Sequence, residues 1–231
     1  MIDNSDFETF LYISKNKYQI FVYDKNNLKN LYNEEIKITG ENDLNKLSKF
    51  IDKNIYKIEK MINNFIRNII LIIEDDKVLD VSISIKKKNY EKHIAQNHLE
   101  NSLVEVKDIF RENYQDQTIM HMIIVNSDNN ENNDLLINPN NNDDYLFLEV
   151  NFISISNKFT FYYEKLLENH QVKIKRRMSG NYIKSYFGED SADLSEMANK
   201  LNNGLNKNEV QLVSKSTKNR GFFERFFQLF S

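Results

Sequence analysis

The 231 residues contain four histidines, His93, His98, His121 and His170, and no cysteine. Without thiols, a zinc ribbon, a disulfide framework and a cysteine nucleophile are all excluded. His93 and His98 lie five apart, which puts them on different sides of a helix, so they do not form a metal pair. Met120-His121-Met122 has soft-metal residue types, but alternate strand residues project to opposite faces, and an ordinary strand histidine is the simpler reading. Asp128, Asn130, Asn132 and Asp134 alternate as in a calcium loop. The position that needs Gly is Asn133 and the one that needs a bidentate Glu is Pro139, so this is a solvated loop. The five glycines, Gly40, Gly180, Gly188, Gly204 and Gly221, form neither G-x-G-x-x-G nor G-x-x-x-x-G-K. No Ser-His-Asp or paired-carboxylate constellation is evident. No residue is therefore assigned to catalysis, a cofactor or a metal. The expectation is a non-enzyme with no cofactor and no small-molecule substrate.

The chain's last residues have a different chemistry. Five of its 16 Phe fall in the last ten positions. On a helix, Phe222, Phe223, Phe226, Phe227, Leu229 and Phe230 cover an arc of about 160°, with Glu224, Arg225 and Gln228 opposite. Lys215, Lys218, Arg220 and Arg225 against Glu224 give the stretch from 215 a side-chain charge of +3, which leaves −6 on the rest of a chain whose net charge is −3. An apolar stripe beside basic residues suits an interfacial membrane helix. Shallow insertion of six such side chains contributes on the order of 6 kcal/mol. Each basic residue near anionic lipid adds roughly 1 kcal/mol. The expected membrane-binding residues are Lys218, Arg220, Phe222, Phe223, Arg225, Phe226, Phe227, Leu229 and Phe230. Docking of the stripe on the chain's own core and helix-in-groove binding to a partner are the alternatives.

Stepping along the rest of the chain shows what must carry this tail. With 40% hydrophobic residues and this length, one medium domain or a domain with an insertion can bury a real core. The mild acidity argues against nucleic-acid binding, which needs a basic surface. Asn, Ile and Lys are abundant and have A/T-rich codons, which weakens arguments from Asn-rich stretches. The start of the chain is not a signal peptide, and no apolar run approaches the length of a membrane span. Residues 9–38 read as a strand meander. Leu44, Leu47, Phe50, Ile51, Ile55, Ile58, Ile62 and Phe65 recur at helical spacing, with Asn42 or Asp43 placed as cap. Strands at 67–74 and 78–87, a helix at 98–112, strands at 118–125 and 145–156, a helix at 158–169, a strand at 171–177 and a short helix at 181–187 follow. Interleaved strands and helices predict an α/β or α+β fold. Residues 188–219 read as a polar linker with a weak helix at 191–202. Lys86-Lys87-Lys88 and Lys173, Lys175, Arg176 and Arg177 read as solvated strand-end clusters.

Several short motifs resemble the bacterial actin-like division family FtsA. Residues 66–72 sit where that family has the strand before an inserted module, and the order of elements over 78–156 is the module's strand–helix–strand–strand. Residues 119–124, Ile137-Asn138-Pro139 and Leu148-Glu149-Val150 are similar to the family's "ILHVIP", "I-R/N-D/N-P" and "LEV". Gly221-Phe222-Phe223-Glu224-Arg225-Phe226 is similar to its membrane-targeting "GFFxRL/F". The resemblance implies one actin/Hsp70-like (ribonuclease H-like) lobe at 7–77 and 157–188, a module at 78–156, a linker at 189–214 and a membrane helix at 215–231. The family's phosphate-binding D-x-G-T/S corresponds to Tyr12, Ile13, Ser14 and Lys15, with neither carboxylate nor Gly, and no second lobe follows. The resemblance thus implies a non-enzymatic adaptor on the inner face of the cytoplasmic membrane, at the division site. Its expected partners are anionic lipid, division-machinery proteins and other copies of itself. A PilM/GspL-like actin-related cytoplasmic component of pilus or secretion machinery is the alternative.

Overall fold

The computed structural model describes residues 6–38, 44–88, 96–127, 145–188 and 193–210. The expected caps Asn42 and Asp43, the loop 128–144 and the whole stretch 215–231 lie outside them, as do His93 and the side chain of His98.

The chain opens with β1 (Phe7–Ser14), β2 (Lys17–Asp24) and β3 (Lys29–Lys37). The β2–β3 turn is set by Asp24, whose carboxylate accepts the backbone N–H of Asn26 and Asn27 at 2.8 and 3.0 Å. Helix α1 (Leu44–Ile62) follows and buries Leu47, Phe50, Ile51, Ile55 and Ile58 on one face. Then β4 (Asn68–Glu74) lies parallel beside β1, and β8 (Lys173–Ser179) parallel beside β4. The resulting five-stranded sheet has the order β3-β2-β1-β4-β8, with its first three strands antiparallel. This is a mixed α/β lobe, as the interleaved strands and helices predict.

Inserted between β4 and β8 are β5 (Leu79–Lys88), α2 (Gln96–Asn113), β6 (Gln117–Ser127) and β7 (Tyr145–Ser156), followed by α3 (Asn157–Glu168). The three strands form a separate antiparallel sheet of order β5-β7-β6. Its Leu148, Val150 and Phe152 face α2, where Phe110 stacks on Phe152 at 4.6 Å. Ile153 and Ile155, on the opposite face, join α1 and α3 in the lobe's main core.

Two expectations are corrected. The strand placed at 171–177 runs from Lys173 to Ser179 because a turn with Gln171 at positive φ ends α3 first. The linker placed at 189–214 is folded from 193 to 210. Helix α4 (Gly180–Phe187) and helix α5 (Leu194–Asn202) together cover the second face of the large sheet. Met197, Ala198 and Leu201 pack there against Phe10, Tyr12, Phe21 and Tyr23. Those four aromatics would otherwise meet water, so the sheet's composition requires a cover, and the weak helix expected at 191–202 supplies part of it. Asp193 caps α5 through Ser195 N–H, and Asn30 of β3 donates to both Asp193 and Ser195 at 2.6 and 2.7 Å.

A linker residue tolerates truncation, whereas a core residue does not. Leu201→Ala is expected to cost about 2–5 kcal/mol in urea unfolding at neutral pH. A cost near zero would mean α5 is peripheral.

Candidate functional site

Open α/β sheets bind ligands beyond the carboxyl ends of their strands. Here β1 and β4 end side by side, with Ser14 opposite Glu74, and α4 starts at Gly180 just after β8. The space is filled from within. Ser14 Oγ accepts the backbone N–H of Asn16 and Lys17 at 3.3 and 3.1 Å, so the turn's own hydroxyl takes two donors that a phosphate would need. Tyr12 donates its hydroxyl to Glu74 Oε2 at 2.5 Å, and Lys184 of α4 donates to the same oxygen at 2.5 Å. Burial, then the hydrogen bond to Glu74, pushes the Tyr12 phenol well above its ordinary range, so it remains a neutral donor. Lys15 pairs with Asp76, and Lys17 with Glu35 at 3.1 Å. Gly180 allows this closure, since a Cβ there would come within 3.0 Å of Glu74 Cβ and 3.3 Å of the Tyr12 ring. The first turn of α4 is capped by Ser179, whose side chain accepts Tyr182 N–H at 3.3 Å.

A second constellation lies at the junction of lobe and module. The β6–β7 pairing shifts between Ile119 and His121, which leaves Met120 as a bulge residue. Met120 consequently packs into the lobe core and Met122 into the module core, although strict alternation would put them on one face. Between them, His121 is fully enclosed, with no side-chain exposure. Its Nε2 accepts the backbone N–H of Ser179 at 2.8 Å, and its Nδ1 lies 2.8 Å from Glu209 Oε1. An accepting Nε2 fixes the tautomer: the proton is on Nδ1 and is donated to Glu209. Arg176 of β8 binds the same carboxylate oxygen and also reaches the carbonyl and side-chain oxygens of Asn202 at 3.4 and 3.2 Å. The Tyr182 ring lies 4.4 Å from the imidazole, and Asn206 donates to its hydroxyl at 2.6 Å.

Glu209 reaches this place because residues 208–210 run antiparallel to β6. Ile124 N–H donates to Asn208 O at 2.9 Å, and Val210 N–H to Met122 O at 2.8 Å. Burial lowers the His121 pKa, and the pull of Glu209 does not restore it. Burial would raise the Glu209 pKa, but the hydrogen bond from His121 and the Arg176 guanidinium hold it below the ordinary value. This chemistry holds a fixed proton and ties three segments together. Among the described residues no group of three His, Cys, Asp or Glu side chains is placed to hold a metal ion.

The other sequence-singled residues have local roles. His170 binds Asp52 of α1 at 2.8 Å. Lys87 pairs with Glu105, Lys175 with Glu8 at 3.6 Å, and Arg177 with Glu164. Arg176 and Arg177 are thus largely enclosed, and the solvated-edge reading fails for both. Glu209 itself went unnoticed in the sequence because it stands in the stretch read as linker. The nine residues expected to bind membrane, from Lys218 to Phe230, fall outside the described residues. Among the described residues no helix is long and apolar enough to cross a membrane.

Folded His121 resists the proton that the unfolded chain accepts below about pH 6.5. Acid therefore favours unfolding, and the stability present above that pH is lost as pH falls through it. Urea unfolding from pH 7.5 to 5.5 should show a loss approaching about 1.4 kcal/mol per pH unit from this group. His121→Gln should be less stable at neutral pH and should lack most of that slope. An unchanged slope would place the titration elsewhere.

No family model and no curated protein matches the sequence. Three solved structures are similar in shape at low identity. The cytoplasmic domain of EpsL, an inner membrane component of the type II secretion system of Vibrio cholerae, aligns at 9% identity and a TM-score of 0.37, over 77% of this chain and 57% of that one. A Bacteroides thetaiotaomicron protein with an actin-like ATPase fold and unknown function aligns at 12% identity and 0.33, over 80% and 58%. The PilM–PilN type IV pilus biogenesis complex aligns at 7% identity and 0.46, over 78% and 49%. The chain spans about half the length of the structures it matches.

Proposed function

We propose that this chain is a non-enzymatic adaptor: an actin-like lobe and its inserted module bind protein partners, and residues 215–231 attach the assembly to the inner face of the cytoplasmic membrane. The observation that carries the first half is the closure at the ends of β1 and β4. Ser14 takes the turn's N–H donors, and Tyr12 and Lys184 take Glu74. A nucleotide would have to displace all of these contacts. The second half rests on the apolar arc and the +3 charge of 215–231. A single such helix is a weak, reversible anchor, so stable attachment requires several copies on one assembly.

Two settings fit this chemistry. The division ring rests on the short sequence motifs alone. Pilus or secretion machinery rests on what the names of two similar structures say of those proteins. In both, partners are proteins and lipid.

Isothermal calorimetry with ATP and magnesium should give no binding heat, and magnesium-dependent heat would instead support a nucleotide switch. A fluorescent fusion should lie at the cell periphery and become diffuse when 215–231 are removed. Bands at midcell would choose the division setting, and polar or envelope foci the pilus and secretion setting. Diffuse fluorescence with the tail present would overturn membrane attachment.

A further inference from the structure

Helix α1 presents an unusual outer face. At 100° per residue, Lys49, Lys53, Tyr56 and Lys60 fall within an arc of about 60°. That arc is opposite the buried row of Leu47, Ile51 and Ile58. All four side chains are exposed, Tyr56 at 70%. The row is about 16 Å long at 1.5 Å per residue. The helix's two acids, Asp52 and Glu59, lie off this arc. Asp52 is held by His170 at 2.8 Å, and Glu59 accepts the backbone N–H of Ile66 at 3.0 Å. Lys57, on the flank, has a distant partner in Glu34 at 3.8 Å. No ion pair among the described residues engages Lys49, Lys53 or Lys60.

Beyond the row Phe65 is 77% exposed, and Met61, 43% exposed, lies on the Lys57 flank. Beside Phe65 opens a cavity of about 240 Å³ lined in part by Lys25, Arg67 and Lys175. Its acid, Glu8, is already taken by Lys175 and by Asn202.

We propose that this face, from Lys49 to Phe65, is a second contact with anionic lipid, in which the lysines meet headgroups and Phe65 enters the acyl boundary. The proposal builds on the membrane attachment argued above. Lysine suits this contact, because mobile headgroups need only charge. A polybasic patch is also the second signal that a weak apolar anchor requires for stable attachment.

Co-sedimentation of the full chain with vesicles tests it. The vesicles are phosphatidylcholine alone or with about a third phosphatidylglycerol, at low and physiological salt. The variants are Lys49→Glu with Lys53→Glu and Lys60→Glu, and separately Phe223→Asp with Phe226→Asp, each checked for native circular dichroism. The lysine variant should bind anionic vesicles at least about tenfold more weakly, keep its affinity for neutral ones and show a shallower salt dependence, the remainder coming from the tail's own charge. The tail variant should lose affinity for both vesicle types and retain a weak, salt-sensitive preference for the anionic ones. Equal binding by wild type and lysine variant overturns the second contact, and the tail then stands alone. Loss of self-association without loss of vesicle binding overturns it too, in favour of a second copy whose acidic residues 128–144 meet the lysines. Absence of binding by the wild type overturns both membrane contacts.

Discussion

A sheet that is apolar on both faces has to be covered twice, and the rest of this molecule follows from that. Strands β1, β2 and β4 are buried almost end to end. Leu11, Ile13, Ile20 and Leu71 point to one side and Phe10, Tyr12, Phe21 and Ile72 to the other. Side chains alternate along a strand, so neither set can be hidden by a change of register without exposing the other. Helices α1 and α3 close the first face and α4 and α5 the second. The inserted module is seated by the same logic, because Ile153 and Ile155 extend the first core while Phe152 and Val150 build a separate one with α2.

The His121 junction then decides how module, lobe and carboxy-terminal segment are held together. It is built from charged groups, and a buried charge network is weak as a source of stability. Its value is in geometry. The Met120 bulge aims one imidazole at two specific partners, Ser179 N–H and Glu209, and a shift of β6 by one residue would leave Glu209 and Arg176 enclosed without it. Leu, Ile and Phe could fill the same volume without selecting a register. The network therefore acts as a key that only one arrangement satisfies, and Arg176 extends it to the end of α5 through Asn202.

The sequence made the period-based features legible. The row from Leu47 to Ile58 shows α1, the unbroken apolar run shows β4, and the alternation of Val81, Ile83 and Ile85 shows β5. The departure from the resembled family's D-x-G-T/S was also visible, as Tyr12 in place of the carboxylate and Ser14 in place of Gly. Long-range pairings were not visible. Nothing near His121 in the chain announces Glu209, 88 positions away, or an acceptor for Ser179 N–H. Helix α5 was legible only as a weak helix within a linker, because Asn199, Asn202 and Asn203 carry little signal when Asn is common everywhere. In the fold, Asn202 holds Glu8 and Arg176, and Asn203 closes the helix end on Asn199.

The same junction fixes where the carboxy-terminal stretch departs. Val210 is hydrogen-bonded to Met122, so the chain leaves the body at the edge of β6, beside the lobe. Residues 211–220 then span at most about 35 Å to Gly221, at roughly 3.4 Å per residue. That limit is comparable to the size of one domain. A tail bound to lipid therefore keeps the body near the surface and raises the effective concentration of any basic face that can turn toward it. Were 193–210 a free linker, the tether would be nearly three times longer and that coupling much weaker. Burying Glu209 and Arg176 thus shortens the leash, which links the chemistry of the junction to the proposed attachment.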